Sequence, residues 1–103
     1  MRRGKISDQI ERAVKIMKTR GWRRGGAELG DDPDTCTVCA FSALAVAQGK
    51  NHNYWYIAKD SPAGKFLYSQ MGISTMWNDM QYEGRSVIEA LEAAAHLARE
   101  MGK

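Results

Sequence analysis

TCTVCAFSALAVAQG, residues 35–49, decides the fold, because from Val38 to Ala47 nearly every position is apolar and most are small. A helix that is apolar all round has no face to offer water, so this one is expected at the centre of the molecule with other segments packed about it. Thr35 or Thr37 is its expected N-cap and Gly49 its stop, which sets a central helix over residues 36–48. Ala40, Ala43, Ala45 and Ala47 allow neighbouring backbones to approach closely, while Phe41, Leu44 and Val46 supply bulk.

On the N-terminal side, Asp8 and Glu11 have the spacing of a capping box, and a first helix is expected to begin at Ser7 or Asp8. Residues 1–6 then form a basic arm. Ile6, Ile10, Ala13, Val14 and Met17 share one face at helical spacing, opposite Arg12, Lys15, Lys18 and Thr19. Gly21 is the expected stop, and Trp22 is placed to fold back on the helix end. Residues 23–34, RRGGAELGDDPD, read as a loop whose aspartates sit beside the start of the central helix.

On the C-terminal side, Tyr54, Trp55, Tyr56 and Ile57 have the composition of a strand, yet no second segment offers a partner. A lone strand leaves its backbone unpaired, so an irregular or single-turn segment laying aromatics over the central helix is expected over residues 50–60. Ser61-Pro62 is a helix start, with serine at the N-cap and proline at the first helical position, and Gly72 ends that helix. Another turn or two is expected from Ser74 or Thr75. The last helix opens at Ser86-x-x-Glu89 and runs to about Arg99, with Val87, Leu91, Ala94, Ala98 and Met101 on one face. Glu89, Glu92, His96, Arg99 and Glu100 lie on the other. The expected architecture is a compact all-α single domain over residues 1–103, about four helices around the buried one.

No apolar run approaches the roughly 20 residues that a membrane helix needs, and the basic N-terminus has no apolar segment behind it. A cytoplasmic protein without membrane contact is the expectation. The net charge of +3 hides an asymmetry. Residues 1–24 hold nine of the fifteen Lys and Arg against Asp8 and Glu11, giving +7, and the remainder, with six basic and ten acidic residues, is −4. That polarity fits either an anionic partner or an internal match between a basic helix and acidic segments.

Arg12, Lys15, Lys18, Arg20, Arg23 and Arg24 with the interleaved Trp22 form the mixture that phosphates and stacked bases use, so a host protein or nucleic acid is the expected partner class. No groove-reading motif accompanies them. Cys36 and Cys39, in the first turn expected of the central helix, would see unpaired N–H groups and the positive end of its dipole, an environment that favours thiolate. A small thiol enzyme would set one of them with His52 as base and Asn78 or Asp79 as its orienting group. The redox reading of C-x-x-C also expects a preceding strand, which a glycine- and aspartate-rich loop does not supply. Two cysteines and two histidines with His96 on a polar face do not assemble a zinc site, and no cofactor is implied. A third possibility is a binder of a phosphorylated small molecule or nucleotide, held by helix N-termini and Arg23 or Arg24. For Trp77-Asn78-Asp79, burial of the indole with a side-chain tie to nearby backbone is the favoured role.

Arg20-Gly21-Trp22, the run from Cys39 to Ala45, Trp77-Asn78-Asp79 and the capped helix from Ser86 together resemble a small domain family of unknown function from actinobacteria and their phages. In that family a helix ending in Arg-Gly-Trp precedes a Cys-x-x-Gly-Ala-Leu helix and a Trp-Asn-Asp segment. Ser42 stands here in place of the usual glycine, and the stretch from Met80 to Arg85 is longer than usual. The resemblance implies a helical fold and a phage or actinobacterial setting, with a small accessory protein engaging a host macromolecule as the expected function. It carries no catalytic assignment.

Overall fold

The computed structural model describes residues 5–24 and 36–103. They form α1 (Ile6–Arg20), α2 (Ala40–Ala47), a 3₁₀ turn (His52–Tyr54) running into the single-turn α3 (Trp55–Ala58), α4 (Pro62–Met71), α5 (Thr75–Asp79) and α6 (Gly84–Glu100). The domain is all-α. Among the described residues the sole β-type pairing is an isolated parallel bridge between Trp22 and Val38. The basic arm before Lys5 and the aspartate loop lie outside the described residues.

α2 is buried along its length, with Val46 alone half-buried. It is shorter than expected, starting at Ala40 with Cys39 as its N-cap rather than Thr35 or Thr37. The cause is the bridge. Val38 N–H donates to the Gly21 carbonyl and Arg23 N–H to the Val38 carbonyl, both at 3.0 Å, and this pairing holds Val38 out of the helix. The other end follows expectation. Gly49 takes a positive φ of 82°, and Lys50 N–H reaches back to the Ala45 carbonyl while Gly49 N–H reaches Val46, the paired bonds that close a helix around a left-handed glycine.

α1 lies between α2 and α6 and runs antiparallel to both. Against α2, Gln9 meets Gln48 and Arg12 meets Ala47; against α6, Glu11 meets Arg99 and Lys18 meets Glu92. Ile10, Ala13, Val14 and Met17 fill the core as their spacing predicts. α1 starts slightly earlier than the Ser7 or Asp8 expected. Lys5 is the N-cap and its N–H donates to the Asp8 carboxylate, while the Ser7 hydroxyl donates to the Lys103 carbonyl. α6 also starts early, at Gly84 and not Ser86, with Glu83 as its N-cap, and Trp22 packs on Gly84, where a Cβ would stand 2.6 Å from the Trp22 Cβ. Met101 lies past the end of α6 and is exposed.

Residues 50–60 form the turn and single-turn helix that the missing strand partner dictates. Trp55 packs on the core, whereas Tyr54 and Tyr56 remain exposed. α4 follows its signals, with Ser61 Oγ accepting from Gly64 N–H and Gly72 in the left-handed region at φ 68°. α5 is capped by Ser74, whose Oγ accepts from Trp77 N–H. Gln48, buried beyond the end of α2, donates to Gln9 Oε1 at 3.0 Å and Ser61 Oγ at 2.9 Å, so one amide joins α1, α2 and the start of α4.

Gly64 sets the contact between α3 and α4. A Cβ there would fall 2.2 Å from the Ala58 carbonyl oxygen and 2.5 Å from that of Lys59, and both obstacles are backbone. Gly64→Ala is therefore expected to lower the unfolding free energy by about 1–3 kcal/mol, the range for overpacking. Ser69→Ala, on the exposed side of the same helix, is expected to stay within about 0.5 kcal/mol. Urea denaturation of the two variants beside the unaltered chain checks both.

Candidate functional site

Asn78 is the point at which the sequence motifs meet. It sits in α5, fully buried, and uses both ends of its amide. Its Oδ1 accepts from Trp22 Nε1 at 2.8 Å and from Ala40 N–H at 3.1 Å. Its Nδ2 donates to the Arg23 carbonyl at 3.3 Å and to Asp79 Oδ1 at 3.2 Å. The segment after α1, the first residue of α2 and α5 are thereby tied at one side chain. Ala40 N–H is one of the donors that a helix start cannot satisfy internally, and Asn78 supplies its acceptor.

Cys39 shares the capping. Its Sγ accepts from Ser42 N–H and donates to Ser42 Oγ, both at 3.3 Å, and the residue is 4% exposed. Ser42 therefore has a use that glycine lacks. Cys36 is half-buried and precedes the helix, so neither thiol occupies the first turn of α2. Asn78 and Asp79 lie at this end of α2. His52 is buried in the 3₁₀ turn beyond the other end, and the eight residues of α2 rise about 12 Å between them. The fold thus brings Cys39, Asn78 and Asp79 to one end of a helix and His52 to the other. No group of three or more His, Cys, Asp or Glu with metal-binding geometry occurs among the described residues.

The basic residues divide into those committed to the fold and those presented at the surface. Arg12 Nε donates to the Ala47 carbonyl at 3.1 Å and closes the C-terminal end of α2. Arg24 Nε donates to the Gln81 carbonyl at 2.9 Å, its guanidinium 5.7 Å from the centre of the Tyr82 ring. Lys18 pairs with Glu92 at 3.3 Å, with both side chains about half exposed, a pairing that contributes under about 1 kcal/mol. Trp22, offered by its sequence context as a stacking platform, has its N–H on Asn78 and its Cβ against Gly84. Arg23 is half-buried, with its carbonyl on Asn78.

Lys15 is exposed and Arg20 half-buried, and both lie beside α2. With Ile16, Thr19 and Val46 they line a groove of about 280 Å³ between α1 and α2. Its floor joins Val46, the one residue of α2 that reaches the surface, to Ile16, an apolar residue at the margin of the buried stripe of α1. Neither residue stands out in the sequence as a site. The available signal is Ile16 itself, an apolar residue that widens the core stripe of α1 at its margin and is only half-buried.

The molecule is thus a small all-α domain with two buried amide junctions and a basic groove beside its central helix. A family model for a family of unknown function, DUF6197, matches residues 1–97, and the chain belongs to that family. No curated protein and no solved structure matches it. No helix among the described residues is long and apolar enough to cross a membrane.

Two outcomes check this geometry. Asn78→Ala leaves two buried donors without an acceptor, at about 1–3 kcal/mol each, and Trp22→Phe removes one of those donors. The double variant is expected to be less destabilised than the sum of the singles by about 1 kcal/mol, measured as a double-mutant cycle in urea. In the native protein iodoacetamide is expected to label Cys36 well ahead of Cys39, by mass spectrometry of the digested chain. Equal rates would remove Cys39 from its cap.

Proposed function

We propose that this chain is a binding module that takes an acidic segment of a partner protein into the groove between α1 and α2. The observation that carries this reading is the pairing of a cation with apolar lining: exposed Lys15 lies in the same groove as half-buried Ile16 and Val46. An acidic segment carrying one aliphatic side chain complements both parts, with a carboxylate on the cation and the aliphatic group covering the apolar lining. A protein partner is favoured over nucleic acid because the aromatic that would stack on bases, Trp22, is engaged by Asn78. The resemblance of the Arg-Gly-Trp and Trp-Asn-Asp motifs to a family of actinobacteria and their phages supports a phage or phage-derived accessory protein acting on a host macromolecule in the host cytoplasm. A thiol enzyme is less well supported, since Cys39 caps α2 and His52 lies at that helix's far end.

Titration of isotope-labelled protein with an acidic peptide containing one leucine tests the reading. Amide shifts are expected at residues 15–20 and 46, and Lys15→Glu combined with Thr19→Glu, both on exposed positions, is expected to weaken binding by about tenfold. Replacing the leucine by serine is expected to weaken it as well. Absence of shifts in the groove, or tighter binding of a single-stranded oligonucleotide with a steep salt dependence, would overturn the proposal.

A further inference from the structure

A larger cavity, of about 500 Å³, shares no lining residue with the α1–α2 groove. We infer that it is a second, small-molecule site, suited to an amphipathic monoanion: an aromatic or medium-length aliphatic body carrying one carboxylate or sulfonate.

The inference starts from how its walls are built. Phe41, on the first turn of α2, and Ile73, just after α4, are buried and form the apolar base. Gly64 lets α4 rest on the backbone of Ala58 and Lys59, which places Lys59 and Asp60 beside Lys65 on one rim. Gly72 ends α4 in the left-handed region and Ile73 N–H returns to the Leu67 carbonyl at 3.1 Å, so the chain turns directly into Ser74 and Thr75 on the opposite rim. Both turns are fixed by backbone geometry. Its volume falls within the range of about 300–1,000 Å³ typical of small-ligand sites.

Charge and polarity select the ligand. Lys59 Nζ lies 3.4 Å from Asp60 Oδ1, and that pair balances itself. Lys65 is exposed on the same rim and leaves one net positive charge, which matches a single anionic group and not a di- or triphosphate. The hydroxyls of Ser69 and Thr75 offer hydrogen bonds to its oxygens. The ring of Tyr68, 67% exposed beside the buried Phe41 and Ile73, offers apolar surface to such a body, so a free inorganic anion is not the best occupant.

Anilinonaphthalene sulfonate has this chemistry, and its uncharged parent, phenylnaphthylamine, has the same body without the anion. Fluorescence titration of the full chain with each is the test. Saturable one-to-one binding of the sulfonate is expected, tighter than the parent by about tenfold, the difference that one charge-assisted contact makes. Lys65→Glu is expected to remove that preference while leaving the parent's affinity unchanged. Ser69→Trp, on an exposed position of α4, is expected to block both probes with the circular dichroism and thermal midpoint unaltered. If the sulfonate fails to saturate, if Ser69→Trp binds it as the unaltered chain does, or if Lys65→Glu retains the preference for the anion, the site is overturned. Acidic-peptide binding in the α1–α2 groove is read separately and is expected to be indifferent to either substitution.

Discussion

A buried apolar helix must have its ends satisfied by something other than water, and the rest of this domain is arranged around that requirement. α2 has one polar side chain, Ser42, and its ends lie inside the fold, where unpaired N–H and C=O groups cost about 1–3 kcal/mol each. Asn78 takes Ala40 N–H and the Cys39 thiol takes Ser42 N–H at one end. At the other, Arg12 covers the Ala47 carbonyl and the Gly49–Lys50 turn covers Ala45 and Val46. Each of these partners comes from, or positions, another element. Asn78 brings α5 and the segment after α1, and Arg12 aligns α1 with α2. Satisfying the helix ends and choosing the tertiary arrangement are therefore one event.

That economy changes the meaning of the residues with the most chemical character. A tryptophan among arginines, a cysteine at a helix start and an asparagine after a tryptophan each have a functional reading, and here each serves the ends of α2. Trp22 is held through its N–H by the same oxygen that caps Ala40. Cys39 spends its sulfur as an N-cap, a place that serine or threonine usually fills. What remains for recognition is surface that the junctions leave alone: the groove over Ile16 and Val46, and the cavity over Phe41 and Ile73.

Local rules made much of this legible in the sequence. The core stripe of α1, the burial of α2, the Ser61-Pro62 start and Gly72 stop of α4, and the single turn at residues 55–58 follow from periodicity, capping chemistry and the absence of a strand partner. The starts of α2 and α6 did not. Thr35 is a good cap in isolation, but the Trp22–Val38 bridge holds residue 38 extended. That contact joins residues sixteen positions apart, and no local pattern encodes it. The same holds for Asn78 and Gln48, whose roles depend on which backbone ends and amides the fold brings to them.

The charge asymmetry of the chain is partly internal, and its pattern explains the antiparallel register of α1 and α6. α1 carries Glu11 early and Lys18 late, and α6 carries Glu92 before Arg99. Antiparallel packing sets Lys18 beside Glu92 and Arg99 beside Glu11, whereas a parallel arrangement would bring like charges toward each other at both levels. These side chains are about half exposed, so the pairs add little to stability and act mainly by disfavouring the wrong orientation. With Lys18 on Glu92 and Arg12 on Ala47, Lys15 is the exposed cation of α1 that lines the apolar groove. The basic residues of α1 therefore act in different places: Lys18 orders α1 against α6, and Lys15 lies exposed beside Val46, the residue of α2 that reaches the surface.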